Sequence, residues 1–294
     1  MKIALVLGSG GARGYAHIGV IEELTARGHE VVAVSGASMG ALVGGLYAAG
    51  AMDRFTQTVR GMSRTEVLRF ADLTLTQPGL LRATKIVGLL EDLVGDQRIE
   101  DLPIPYTAVA TDIERRREVW FHEGLLVPAI RASISIPTVF TPVRLGGRLL
   151  VDGGVLNPLP IEPSLSQEAE LIVGVSLFGR RLGLDPSSPD REAAATEPER
   201  WIDRLPESLR QLIPGRVATE SKPATPSVTL ADMLSTTLDV MQGQIELGRS
   251  AMSRPDVMIS VPIETCRVTD FQEADRVIEV GRDLAREAFD TAGL

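Results

Sequence analysis

The feature that most constrains this chain is a pair of tight glycine turns, each placed where a short apolar run hands over to a stretch of helical composition. The first is Gly8-Ser9-Gly10-Gly11-Ala12-Arg13-Gly14 and the second is Gly36-Ala37-Ser38-Met39-Gly40. Residues 3–7 and 31–34 are too short for helices and read as buried parallel strands, while residues 15–24 and 39–49 read as the helices that follow them. Two strand-to-helix loops are therefore expected side by side at one sheet edge. Glycines two positions either side of Ser38 permit a sharp turn that exposes its hydroxyl at a helix N-terminus. With N–H groups of the neighbouring loop facing the same point, the arrangement supplies what acyl transfer needs: a nucleophile, and donors for the developing oxyanion.

The remaining pattern predicts an α/β body built on these two units. Further strands are expected at 106–111 and 118–121, joined across 114–117, and at 171–175 and 257–261. Alternation with helical segments points to a three-layer α/β/α architecture on a mostly parallel sheet, and 44% apolar residues in 294 supply its core. Residues 142–145 and 148–151 flank Gly146-Gly147 as a hairpin, which puts Asp152 of Asp152-Gly153-Gly154 at a strand end. A helical stretch carrying Phe55, Val59, Met62, Val67, Leu68, Ile86, Leu89, Leu90 and Leu93 is expected to pack over the sheet, either as plain core or as the lining of an acyl-chain groove. Helices are expected at 230–252 and 271–292, the last turning Val277, Ile278, Gly281, Leu284, Ala285 and Ala288 inward.

Residues 1–294 read as one domain without internal repeats, interrupted by a mobile excursion at 180–227 rich in Pro, Arg, Glu and Ser. Within it Trp201, Leu205, Leu209 and Leu212 form one apolar helical stripe. That stripe fits a helix folded onto the body or against another subunit, with a lid or lipid-surface helix as the alternative.

A net charge of −9 argues against a nucleic-acid partner and against simple electrostatic docking on anionic lipid. The run Arg115-Arg116-Arg117 reads as a solvated hairpin tip. Cys266 is the single cysteine, so neither an internal disulfide nor a cysteine zinc cluster is available, and a cytoplasmic protein is expected. Residues 1–7 enter a glycine turn and read as a first strand rather than a signal peptide. No apolar stretch approaches the ~18 residues of a spanning helix, so membrane contact is expected to be peripheral.

The chemistry is narrowed by what is missing. The histidines are His17, His29 and His122, and the usual order of serine, acid and then histidine cannot be built with Asp152 because no histidine follows it. Each has a structural explanation, in a helix, a turn and a strand end. An aspartate can serve as base instead if it meets the serine hydroxyl directly in a site dry enough to raise its basicity, and Asp152 is the candidate. A dinucleotide site fits poorly, since Arg13 holds the sixth position of the glycine pattern and no acidic residue ends the second strand at Val34-Ser35. A P-loop fails because no Lys-Ser or Lys-Thr follows the loop. Acyl transfer to an acceptor other than water, and a non-catalytic binding role on the same fold, remain alternatives to hydrolysis.

Gly10-Gly11-Ala12-Arg13-Gly14, Gly36-Ala37-Ser38-Met39-Gly40 and Asp152-Gly153-Gly154, in that order, resemble the patatin-like phospholipase family. Arg131-Ala132-Ser133-Ile134-Ser135-Ile136-Pro137 is similar to the corresponding segment of bacterial members, and the likeness covers residues 1–178 and, more loosely, the region from 257. The resemblance implies a three-layer α/β fold that hydrolyses acyl esters of lipids through a Ser–Asp dyad, with neither metal nor cofactor. Carried over by position, Ser38 is the nucleophile, Asp152 its general base, and the amides of Gly10 and Gly11 the oxyanion hole. Arg13 takes the basic position of the loop, there either to hold the loop in shape or to touch substrate. Ser9 stands where the family usually has the first of three glycines.

Overall fold

The computed structural model describes residues 1–70, 83–137, 139–179 and 230–294. The expected excursion at 180–227, with the stripe from Trp201 to Leu212, lies outside the described residues, as do 71–82. Among the described residues eight strands form one sheet: β1 (Lys2–Leu7), β2 (Glu30–Ala37), β3 (Tyr106–Asp112), β4 (Arg117–Phe121), β5 (Val143–Leu145), β6 (Arg148–Asp152), β7 (Leu171–Gly179) and β8 (Val257–Pro262). The order is β5-β6-β3-β2-β1-β7-β8, with β4 paired to β3. From β3 to β8 along this order all pairings are parallel, whereas β4 and β6 run antiparallel to β3.

The unbroken apolar run of β1 reflects its central place, since a strand covered on both faces gains from apolar side chains at every position. Ile3, Leu5 and Leu7 enter the main core, whereas Val6 packs on the opposite face with Leu159 and Ile161. Helices cover the sheet to complete the α/β/α sandwich: α1 (Ala16–Ala26), α2 (Met39–Ala48), α3 (Met52–Val59), α4 (Arg64–Phe70), α5 (Thr84–Val94), α6 (Leu126–Ser133), α7 (Leu230–Met252) and α8 (Ala274–Ala292). Phe55, Val59, Leu90 and Leu93 belong to the main core. Among the described residues no helix is long and apolar enough to cross a membrane.

Two elements run further than their apolar patterns suggest. The pattern of β2 stops at Val34, yet the strand continues to Ala37 because the buried Ser35 hydroxyl is satisfied by the Pro160 carbonyl at 2.7 Å. β7 continues to Gly179 through buried Ser176, whose oxygen accepts the Phe178 N–H at 3.1 Å. The turn between β5 and β6 has φ of 56° at Gly146 and 71° at Gly147, the mirror-image conformation that matches strand twist. α8 starts after a 3-10 turn at Phe271–Glu273, and its buried face adds Phe289 to the expected residues.

One feature of the sheet places the site. β3 pairs with β2 over Tyr106 to Val109 and with β6 over Ala110 to Asp112, while β4 takes Ala108 to Asp112 along the other edge. β2 and β6 therefore share one edge of β3 and approach from opposite directions. Their carboxyl ends meet at neighbouring positions, Ala37 opposite Val109 and Asp152 opposite Ala110.

Candidate active site

Ser38 follows β2 and begins α2 with φ 55° and ψ −122°, a conformation rare for a residue with a side chain. The flanking glycines are demanded by contact. A Cβ on Gly36 would lie 2.4 Å from the Gly40 carbonyl, and one on Gly40 would lie 2.0 Å from the Leu7 oxygen. Such a backbone costs about 1–3 kcal/mol and persists only where its surroundings hold it. Here the Ser38 N–H donates to Ser133 Oγ at 2.9 Å, and the Ser38 carbonyl accepts the Leu42 N–H at 3.0 Å.

Asp152 ends β6, fully buried. Its N–H donates to the Ser135 carbonyl at 3.0 Å, and its Oδ1 accepts the Gly154 N–H at 2.7 Å. Burial pushes its carboxyl up to about 7, against the opposing pull of the Ser38 hydroxyl and the Gly154 N–H. Oδ2 is buried and completes no hydrogen bond of standard geometry among the described residues. The Ser38 hydroxyl lies near enough to the carboxyl to lower it against the effect of burial.

The first glycine loop is pinned on either side of two amides. The N–H groups of Gly8, Ser9 and Ala12 donate to the carbonyls of Val175, Pro158 and Val268 at 3.0, 2.7 and 2.9 Å. The Gly10 and Gly11 N–H groups take no acceptor among the described residues. Both glycines have positive φ, 158° and 59°, while Ser9 does not, so a serine is compatible with the loop. The Arg13 side chain is buried. Its Nε donates to the Gly10 carbonyl at 3.3 Å, its Nη2 pairs with Asp239 at 2.5 Å, and its guanidinium lies 5.2 Å from the Phe178 ring centre.

Two compartments meet at Ser38. One, about 120 Å³, is walled by apolar side chains including Tyr15, Met39, Leu42, Phe55, Val59, Met62, Ile86 and Leu89. The other, about 60 Å³, is lined by Ser9, Gly10, Gly11, Asp152, and by Ser235, Leu238, Asp239 and Gln242 of α7. Ile136, Phe140 and Phe271 border both. Of the apolar residues expected there, Leu90 and Leu93 belong to the core, Met62, Val67, Ile86 and Leu89 line the cavity, Phe55 and Val59 do both, and the Leu68 side chain lies outside the description.

The histidines stand apart from both compartments. Burial lowers His17 to about 4, so its neutral ring donates from Nε2 to the Gly8 carbonyl at 2.8 Å and supports the loop from beneath. His29 packs edge-on near Phe289, and His122 is exposed after β4.

The patatin-like phospholipase family profile matches residues 5–165. Uncharacterized NTE family proteins of Mycobacterium bovis and Mycobacterium tuberculosis are 39% identical over 98% of this chain and 91% of theirs. The chain belongs to the patatin-like phospholipase family. The mouse Patatin-like phospholipase domain-containing protein 7 is 33% identical to it over 60% of this chain and 14% of the mouse protein. VipD from Legionella pneumophila has 17% identity and a TM-score of 0.47 across 99% of this chain and 66% of its own.

Two groups at this candidate site escaped sequence reasoning. Ser133 and Ser135 hold the backbones of Ser38 and Asp152, although the segment containing them stood out only through family likeness. A usable signal was there: small polar residues alternate with Ile134 and Ile136 at the end of an apolar helix. The second group is on α7, where Asp239 reaches Arg13 and Gln242 accepts the Ser9 hydroxyl at 3.2 Å. Their polar character among Leu, Val and Met marked an inward polar face.

Proposed function

We propose that this protein is a serine lipid acyl hydrolase of the phospholipase, lysophospholipase or carboxylesterase type, working through Ser38 and Asp152. The observation that carries this reading is the head-to-head meeting of β2 and β6 on β3, beside an apolar cavity and two glycine amides that take no acceptor among the described residues. In the proposed reaction Ser38 Oγ attacks an ester carbonyl while its proton passes to Asp152 Oδ2. The Gly10 and Gly11 N–H groups receive the oxyanion, and the alcohol leaves with the proton returned by Asp152. Water, deprotonated by Asp152, then attacks the acyl-enzyme and releases the fatty acid and free Ser38.

A carboxyl that titrates near 7 suits both halves of this cycle, because it can take a proton and give it back. The apolar compartment suits an acyl chain, and the one bounded by α7 suits the leaving group. A lipid aggregate has a candidate contact surface on the outer side of α7, where Met233, Leu234, Val240, Met241, Leu247 and Met252 are exposed. Flotation with phosphatidylcholine vesicles tests that contact, and protein left at the bottom of the gradient rules it out. The single buried cysteine, Cys266, fits a cytoplasmic setting.

Hydrolysis of p-nitrophenyl esters and labelling with a fluorophosphonate test the main reading. The wild-type protein should do both, and Ser38→Ala should reduce turnover by about 10⁴-fold or more and abolish the label. Equal turnover by the two proteins would sink the proposal. A label without turnover in water, restored by adding an alcohol acceptor, would favour acyl transfer.

A further inference from the structure

Ser38 and Asp152 follow or end two strands that meet on β3, but strand pairing itself does not bridge that junction. The bridge is the turn at the end of α6. Ser133 Oγ accepts the Ser38 N–H at 2.9 Å while its own hydroxyl donates to the Val109 carbonyl at 2.6 Å. Two residues on, the Ser135 carbonyl accepts the Asp152 N–H at 3.0 Å. Both serines are fully buried, so water cannot substitute for these bonds without rearrangement. The residues that alternate with them face the cavities: Ile134 lines the apolar one, and Ile136 lines both compartments. One short turn thus grips the two reacting residues with its serines and touches the space for the acyl chain with its isoleucines.

We propose that Ser133 is a positioning residue of this site, holding Ser38 in its positive-φ turn, and that the Ser133–Ile136 turn transmits filling of the apolar cavity to the Ser38–Asp152 gap. The proposal rests on the hydrolase reading above. Ser133 must accept from an N–H and donate to a carbonyl at the same time, which a hydroxyl does and a methyl group cannot. Without it the buried Ser38 N–H loses its partner, and the turn loses one of the bonds that hold it against relaxation toward negative φ. A chain pressing on Ile134 and Ile136 acts on the same short segment, so binding energy from the remote part of the substrate is spent on aligning the reacting groups.

The test measures kcat and KM on p-nitrophenyl butyrate and p-nitrophenyl laurate for wild type, Ser133→Ala, Ser133→Thr and Ser38→Ala, with Tm recorded for each. In wild type, kcat should rise from butyrate to laurate. Ser133→Ala should lower kcat on laurate by about 10- to 100-fold, leave KM within about 2-fold, and erase the rise with chain length. Ser133→Thr, which keeps the hydroxyl, should restore both. Undiminished kcat in Ser133→Ala overturns the proposal, as does a loss shared by the Ala and Thr variants that follows their Tm. A rise in KM at constant kcat overturns it too. If wild type turns over neither ester above the Ser38→Ala background, the hydrolase reading itself fails; if wild type is active and Ser133→Ala matches it, only the positioning role fails.

Discussion

The two compartments at Ser38 are built from opposite materials. On one side, side chains from α2, α3, α4 and α5 make a wall that is almost entirely hydrocarbon. On the other, a glycine loop, a buried carboxyl and the inner face of α7 supply N–H groups, oxygens and charge. The apolar wall can alter in shape at modest cost, because its contacts are numerous and non-directional. The polar side is directional: in the proposed reaction Gly10, Gly11 and Asp152 would have to be held within about half an ångström. That side is accordingly braced by Arg13, His17, Ser133 and Ser135, whereas the apolar wall is held by packing, with Arg54 tying α3 to the Leu93 and Asp92 carbonyls of α5. Damage to the polar side should therefore appear in kcat, and damage to the apolar side in choice of chain length.

The largest effect within this contrast belongs to Asp152→Asn, which should cost about 10³-fold in kcat. In wild type, kcat/KM should rise with pH through about 7 as the carboxyl becomes a base, and the variant should lose that limb. Stability should move the other way. Folding raises this carboxyl from 3.8 to about 7, so the native state favours its protonated form, and stability falls as pH rises through that interval. The carboxamide of Asp152→Asn never ionises, so the variant should be the more stable protein at pH 8, on the order of a few kcal/mol, and should lose that advantage near pH 4. Thermal melts across this range check the sign.

Gly11→Ala comes next. Its φ of 59° disfavours a side chain, and the new Cβ would lie 2.4 Å from the Val268 carbonyl oxygen. Displacing one oxyanion donor should lower kcat by about 10²-fold with little change in KM, and an unchanged kcat would remove Gly11 from the proposed hole.

On the apolar side, Met62→Trp should fill part of the cavity from its half-buried rim. We expect kcat/KM for a long acyl ester to fall by about 10-fold while that for a short ester holds. An equal fall for both esters would mean that the cavity is not where the chain lies. The smallest effect should come from Asp239→Asn, which removes the charge partner of Arg13 but leaves its bond to the Gly10 carbonyl. A loss of about 3-fold in kcat at constant KM is expected. A change in chain-length preference instead would break the division of labour between the two sides.

Much of the fold was legible because each signal was local. The runs that became β1, β3 and β8 carry their burial in consecutive or alternate positions, and Gly146-Gly147 specifies its own turn. The continuations of β2 and β7 were not, because Ser35 and Ser176 look like strand ends until their distant surroundings are known. The histidines could be set aside from their order along the chain, yet the role of His17 under the glycine loop depends on a contact with Gly8 that helical spacing does not announce.

What the sequence determined by itself was local chemistry: a serine on a glycine turn, a glycine loop after the first strand, an aspartate at a hairpin end, and enough apolar surface to join them in an α/β core. Whether these parts meet was decided by tertiary structure. Ala37 and Asp152 are far apart along the chain and become neighbours only because β3 offers consecutive positions to strands arriving from opposite directions. The rise of the Asp152 carboxyl to about 7 likewise depends on burial by many elements at once. On α7, Asp239 and Gln242 meet their partners Arg13 and Ser9 on the glycine loop, and Arg249 meets Glu118 and Glu162, only once the chain has folded. Pairing register and desolvation are properties of the assembled sheet and its helices, and no short stretch of sequence contains them.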